Sequence, residues 1–389
     1  MIEIKNKKDC CGCHACVSVC AHHAITMQAD AEGFLYPVVD KGTCTDCGLC
    51  EQVCPVIHQA SPTQPLQVYA ARSYDEDLRC QSSSGGIFTL LAEAVIREGG
   101  VVFGAKFDEE WNVIHAWTET ADGLAAFRGS KYVQSTIGNT YREVKEFLQQ
   151  GRKVLFTGTP CQIAGLKRYL RKDYDNLLAV DIICHGVPSP LVWQRYLDEM
   201  RAQGEITDIS FRDKANGWAQ YGFRLCYAPS GGEEKVFLQP FLQNTYMRGF
   251  LADLYLRPSC HDCPSRSGKS GSDITLGDFW GIEVQHPEMD DKAGTSVLIV
   301  KSDKGAAWLM KIDADLLPTT LQVAEAKNPA LYVSCKPHRN RTRFFPLERY
   351  RGGISLHIQR LLRPTLWESI NLRWYRIKQQ YRRYKNTRR

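Results

Sequence analysis

The chain has 389 residues, 43% apolar, 24% charged and 10% aromatic, which suits two or three packed domains and excludes a disordered or fibrous protein. Its formal charge of +6 is uneven: residues 349–389 hold twelve Lys or Arg against one acid, leaving 37 basic and 42 acidic residues elsewhere, so a mildly acidic body carries a basic tail. Sixteen cysteines are many for a cytosolic enzyme, and a chain of this length needs no disulfides in place of a core, so metal ligation is the expectation.

The opening MIEIKNKKDCCGCHAC lacks an apolar stretch and no window of eighteen apolar residues occurs, so neither a signal peptide nor a membrane span is expected, and the predicted location is the cytoplasm. Cys10, Cys13, Cys16 and Cys20 read C-x2-C-x2-C-x3-C. Cys44, Cys47, Cys50 and Cys54 repeat that spacing, followed by Pro55. Three thiolates two residues apart wrap one face of a cubane, and the fourth points toward the other cluster. Cluster one is therefore expected on Cys10, Cys13, Cys16 and Cys54, and cluster two on Cys44, Cys47, Cys50 and Cys20. In these residues the chain resembles the bacterial two-cluster ferredoxins, with Ala21 where a proline often follows and Cys11 as a spare thiol. The competing reading, a pair of zinc knuckles, would separate its cysteine pairs by a loop.

Residues 59–66 are polar with two prolines and read as a linker after a ferredoxin-like domain at 1–58. Strand and helix signals then alternate: a β-run at 68–73, an amphipathic helix from Ile87 through Val95, a β-run at 101–107, a helix marked by Tyr141, Val144, Phe147 and Leu148, a strand at 153–156, a helix at 162–170 and a strand at 177–183. The expected class is α+β, with a mixed α/β body divided at 67–150 and 151–315, and a helical, basic extension at 316–389.

Three stretches of the body carry chemistry. Ser82 to Thr89 runs hydroxyls and glycines into a helix start, which suits a phosphate or a flavin edge, and equally an ordinary serine cap. Thr157-Gly158-Thr159-Pro160-Cys161 places a thiol in the first turn of a helix, and Cys184-His185-Gly186 follows the next strand in the same topological position. Cys260 and Cys263 form a third pair. Cys161, Cys184, Cys260 and Cys263 together suit a third iron–sulfur cluster or a zinc ion, which spacing does not separate. Cys161 with His185 also fits a nucleophile and base, although that leaves eight N-terminal ligands without purpose. Cys80, Cys226 and Cys335 have no spacing partner and read as small buried residues.

Taken in order, SSGGIFTLL, GSKYVQS, GTPCQIAGL, DIICHGVPSP, CHDCPSRSGKSGSDITLGDFWG and PEMDDKAGTS make the chain similar to the family of coenzyme F420 hydrogenase/dehydrogenase beta subunits, over roughly residues 67–300. The resemblance implies FAD, a third cluster on Cys161, Cys184, Cys260 and Cys263, and a flavin lying against Ser83, Ser84, Gly85, Gly86, Thr89, Lys131, Gly158 and Thr159. It implies an oxidoreductase that passes electrons between 4Fe-4S clusters and FAD to reduce or oxidise a small molecule, with a ferredoxin-type or deazaflavin donor. Lys131 and His185 are the candidates to protonate or orient that substrate. The alternative is a non-catalytic electron-transfer component of a larger complex. Asp278 and Trp280 match a family motif without an assigned role. Residues 355–389 read as a basic amphipathic helix, suited to an anionic inner membrane face or an acidic partner, or to packing on the body; nucleic acid is not expected.

Overall fold

The computed structural model describes residues 1–349 and 352–364. Most of the predicted basic helix, residues 365–389, lies outside the described residues.

The N-terminal part is two short helices, Ala15–Val19 and Leu49–Gln52, packed against an antiparallel hairpin of β1 (Ile25–Ala29) and β2 (Leu35–Val39). Each helix begins on a left-handed residue, His14 and Gly48, and each carries one cysteine of a quartet into a tight bend, Cys16 and Cys50. Ile2, Ile25 and the cysteine sulfurs make the small core of this part.

The body is built on an eight-stranded sheet of β3 (Gln67–Arg72), β4 (Val101–Phe107), β5 (Val113–Thr118), β6 (Val154–Gly158), β7 (Leu177–Ile182), β11 (Ile274–Asp278), β12 (Ser296–Val300) and β13 (Asp315–Thr319), in the order β13-β3-β12-β11-β7-β6-β4-β5. Its centre, β4-β6-β7-β11, is parallel, and the flanking pairs are antiparallel. Buried runs such as Val101-Val102-Phe103 and Val154-Leu155-Phe156 are what strands covered on both faces require. Helices Ile87–Arg97 and Pro160–Leu170 cover opposite faces, the first with Leu91 and Val95, the second with Ile163 and Leu166.

The strand at 101–107 and the helices near 87–97, 140–149 and 160–170 stand where the sequence pattern puts them. A separate three-stranded antiparallel sheet, β8 (Glu205–Asp213), β9 (Gly222–Ala228) and β10 (Lys235–Pro240), was not in that pattern. It packs on helix Pro190–Arg201 through Trp193, Tyr196, Phe211 and Phe223. The C-terminal helix Ile354–Leu361 buries Ile354 and Ile358 in this same aromatic core, so the described start of the extension is packed on the body. No helix among the described residues is long and apolar enough to cross a membrane.

Candidate redox site

Three groups of cysteines and one large cleft occupy a continuous region. Cys10, Cys13, Cys16 and Cys54, with Cys11, line one small cavity; Cys20, Cys44, Cys47 and Cys50 line a second. The quartets exchange their fourth member because each short helix ends within a turn of its last cysteine and sends it across to the other loop. Cys161, Cys184, Cys260 and Cys263 line a third cavity, and Cys11 enters it as well. Parallel pairing of β6 with β7 puts Cys161 and Cys184 on adjacent turns, and the 3-10 turn Pro258–Asp262 brings in Cys260.

The first and third nests are unfavourable places for thiolates alone. Burial and neighbouring cysteines push Cys16, Cys184 and Cys260 well above the ordinary thiol range. Two guanidinium groups of the third cavity, those of Arg257 and Arg266, pair with no carboxylate among the described residues: Arg266 is buried, donates to the carbonyls of His185 and Ala330, and has an Nε with no partner. Four converging sulfurs beside uncompensated guanidinium groups are a donor set that fits an iron–sulfur cluster, whose four thiolates leave it net negative. Deeper in the same cavity Lys301 faces Asp181 at 3.6 Å, and Thr275 Oγ donates to that carboxylate at 2.5 Å.

The cleft has a volume of about 510 Å³ and lies at the carboxyl ends of the parallel strands, where open α/β sheets place their ligands. Cys184 lines both the cleft and the third cysteine cavity. Of the residues the resemblance assigns to a flavin, Ser83, Ser84, Gly86, Lys131, Gly158 and Thr159 line it. Gly85 and Thr89 do not. Gly85 is turned to the sheet: its N–H donates to Ser296 Oγ, its carbonyl accepts from Ser73, and a Cβ there would run into the Ala71 carbonyl. Thr89 is fully buried on the inner side of helix Ile87–Arg97, its hydroxyl accepting from Arg128 at 3.4 Å.

The two proposed substrate residues differ in what holds them. Lys131 Nζ donates to the carbonyls of Ala126, Arg128 and Gly129, so all three ammonium protons are engaged by its own loop. Burial lowers it to about 7, while those carbonyls favour the charged form. These bonds tie its ammonium to the loop 126–131 along one wall of the cleft. His185 Nε2 meets Asp253 Oδ1 at 2.6 Å, which leaves Nδ1 available.

Other residues of the cleft carry no spacing signal. Arg212, nearly fully buried, pairs with Asp278 at 2.7 Å, donates to Tyr132 Oη and the Ser83 carbonyl, and lies 4.0 Å over the Tyr221 ring. Asp278 also accepts from the Trp218 indole, and Trp218 stacks on Trp280 at 4.9 Å, so the GDFWG segment is an anchor for the Ser83 turn. Buried His115 takes part in a directed chain: Nε2 donates to the Thr157 carbonyl, Nδ1 accepts from Ser135, Ser135 accepts from Gln162, and Gln162 Oε1 accepts from the Thr159 N–H. Desolvation lowers His115 to about 4, so it is neutral. Of the lone cysteines, Cys226 is buried, Cys335 half-buried and Cys80 exposed rather than buried.

Three sulfur-lined cavities leading to one cleft in a mixed α/β body define an iron–sulfur redox protein. The chain belongs to the family of coenzyme F420 hydrogenase/dehydrogenase beta subunits: the family's N-terminal domain matches residues 68–140, its C-terminal domain matches residues 151–324, and a 4Fe-4S dicluster domain matches residues 9–57. It is similar to a component of the F(420)H(2) dehydrogenase of Methanosarcina mazei, 26% identical over 387 residues, covering 94% of this chain and 96% of that one. It is also similar to coenzyme F420-dependent sulfite reductase of Methanocaldococcus jannaschii, 24% identical over 200 residues, 50% of this chain and 30% of that protein. A solved structure of the F420-reducing [NiFe] hydrogenase complex from Methanosarcina barkeri aligns with a TM-score of 0.44 and 19% identity, covering 77% of this chain and 91% of that one.

Proposed function

We propose that the chain is an oxidoreductase that relays single electrons through three 4Fe-4S clusters to FAD in the cleft, for hydride exchange with a small molecule of the deazaflavin class. One observation carries this reading: the first nest, the third nest and the cleft share walls in that order, and the second nest adjoins the first through the small core of Ile2, Cys16, Cys50 and Cys54. Cys11 belongs to the linings of the first and third nests, and Cys184 to those of the third nest and the cleft. Clusters held there would carry one electron at a time, and a flavin would convert pairs of electrons to a hydride.

In this reading Cys10, Cys13, Cys16 and Cys54 hold cluster one, Cys44, Cys47, Cys50 and Cys20 hold cluster two, and Cys161, Cys184, Cys260 and Cys263 hold the third. The Ser83 turn, Gly86 at φ +85° and the start of helix Ile87–Arg97 would receive the anionic part of the flavin. His185, with Nε2 held by Asp253, would accept or return a proton at Nδ1. Lys131 would position the loop over the ring.

A second reading, an electron-transfer component whose chemistry needs another chain, is favoured by the near full-length match to a protein that is itself one component of a dehydrogenase. Purification without oxygen followed by assay of iron, sulfide, zinc and flavin tests the cofactors: about twelve irons and one FAD per chain are expected. About eight irons with zinc at the third nest would remove that nest from the electron path. Flavin turnover by the isolated chain with a deazaflavin separates the two readings, since a pure relay shows none.

A further inference from the structure

The ferredoxin-like part and the body meet at a cation that has no counter-charge among the described residues. Arg257 is completely buried, two residues past Tyr255 in the segment that leads to Cys260. Its guanidinium donates to the carbonyls of Cys10 at 2.8 Å and Leu35 at 2.9 Å and to Gln134 Oε1 at 3.0 Å. Nη2 stands 3.6 Å from the Cys10 sulfur, and the group lies 4.4 Å over the Tyr36 ring. The same side chain lines the cavity of Cys161, Cys184, Cys260 and Cys263. Among the described residues it makes no ion pair with a carboxylate. Carbonyl acceptors satisfy its protons but not its charge, and a buried charge is favoured only where an opposite charge faces it. Gln134 and Gly12, at φ +70°, close on the guanidinium: a Cβ on Gly12 would lie 2.8 Å from Nη1.

We infer that Arg257 is the shared counter-cation of cluster one and the third cluster, a positioning residue that raises the reduction potential of both and holds them in one electrostatic unit. The inference rests on the proposal that both nests hold clusters. Each one-electron reduction adds a negative charge on either side of the same guanidinium, so the reduced forms gain most from it. Hydrogen bonds and charge at the sulfurs are the recognised levers on such potentials. Arg266 provides the contrast, since it faces the third nest alone.

The test is an EPR-monitored redox titration of the holoprotein and its Arg257→Met, Arg257→Lys and Arg266→Met variants, with iron counted in each. In Arg257→Met the reduced-to-oxidised ratio at a given potential should fall at least tenfold for two clusters, about 59 mV for a one-electron couple. The cluster of Cys20, Cys44, Cys47 and Cys50 should stay put as an internal reference. Arg257→Lys should recover most of the shift, and Arg266→Met should move the third cluster only. Unchanged potentials, or an equal shift of all three clusters, would overturn the inference. Loss of iron from Arg257→Met and Arg257→Lys alike would mark a packing role and overturn it too. A wild-type count near eight irons would instead defeat the cluster assignment on which the inference stands.

Discussion

At Gly165, in the middle of helix Pro160–Leu170, an added Cβ would lie 2.7 Å from Cys13 Cβ, 2.9 Å from its sulfur and 3.0 Å from Tyr141 Oη. Alanine is the better helix former by about 1 kcal/mol, but overpacking of a closed interface costs about 1–3 kcal/mol. Gly165→Ala is therefore expected to lower the unfolding midpoint and to release iron from the first nest before the others, seen as selective loss of one EPR signal. Asp278 gives a larger effect. Its carboxylate neutralises Arg212, and Asp278→Ala leaves that guanidinium buried without an anionic partner, which should cost about 3–5 kcal/mol. Denaturant titration measures the loss, and a weakened flavin content should accompany it because Arg212 also holds the Ser83 carbonyl. His115 predicts a pH dependence. It titrates near 4 in the fold against 6.5 in the unfolded chain, so between those values the unfolded chain binds a proton that the fold refuses. Stability should fall as the pH drops through that window, by up to about 3 kcal/mol. His115→Gln should flatten that segment of the stability–pH curve.

Helix Pro160–Leu170 is the element that ties the nests together, with Cys161 in its first turn facing the third cavity and Gly165 one turn later against Cys13. Its start is fixed by Thr159 and Gln162, whose side chain accepts from the Thr159 N–H. Gln162→Leu removes that cap and leaves the buried Ser135 hydroxyl without its donor. A loss of about 1–3 kcal/mol is expected, measured by thermal unfolding of the loaded protein with the third EPR signal broadened. This helix was legible in the sequence because Pro160 and Thr159 mark its start and apolar residues recur at helical spacing. The quartets were legible for the same reason, since their geometry is written within eleven residues. What pattern reading missed is tertiary. Arg212 and Asp278 are 66 positions apart on different sheets, His115 lies on a strand whose hairpin carried no turn signature, and Cys11 read as a spare thiol because its neighbour Cys161 is 150 positions away. Gly85 and Gly86 show the limit of composition: adjacent and identical, one faces the sheet and the other the cleft.

Across the whole molecule, the small domain is held to the body largely through its backbone carbonyls. Arg142 reaches those of Val17 and Ser18, Gln134 that of Cys11, and Arg257 those of Cys10 and Leu35, while Arg341 pairs with Glu32. Carbonyl acceptors hold the first cysteine loop in register on the body whatever side chains it carries, and that register sets the order of first nest, third nest and cleft. Cys184 is the last sulfur before the cleft, so it is where the order can be broken with least disturbance to the rest. In Cys184→Ala about four of the twelve irons proposed should be lost, while the eight cysteines of the small domain's two nests and the Ser83 turn are untouched. Clusters one and two should then accept electrons from a chemical reductant as in the wild type, yet pass them to the flavin at least tenfold more slowly in stopped-flow traces. Direct reduction of the flavin by a hydride donor should keep its wild-type rate, because in the proposed function that exchange would take place in the cleft. Cys47→Ala, at the exposed edge of the second nest, should show the opposite pattern, with entry of electrons impaired and transfer from first nest to flavin intact. Equal flavin reduction from the clusters in wild type and Cys184→Ala would place the third nest outside the path.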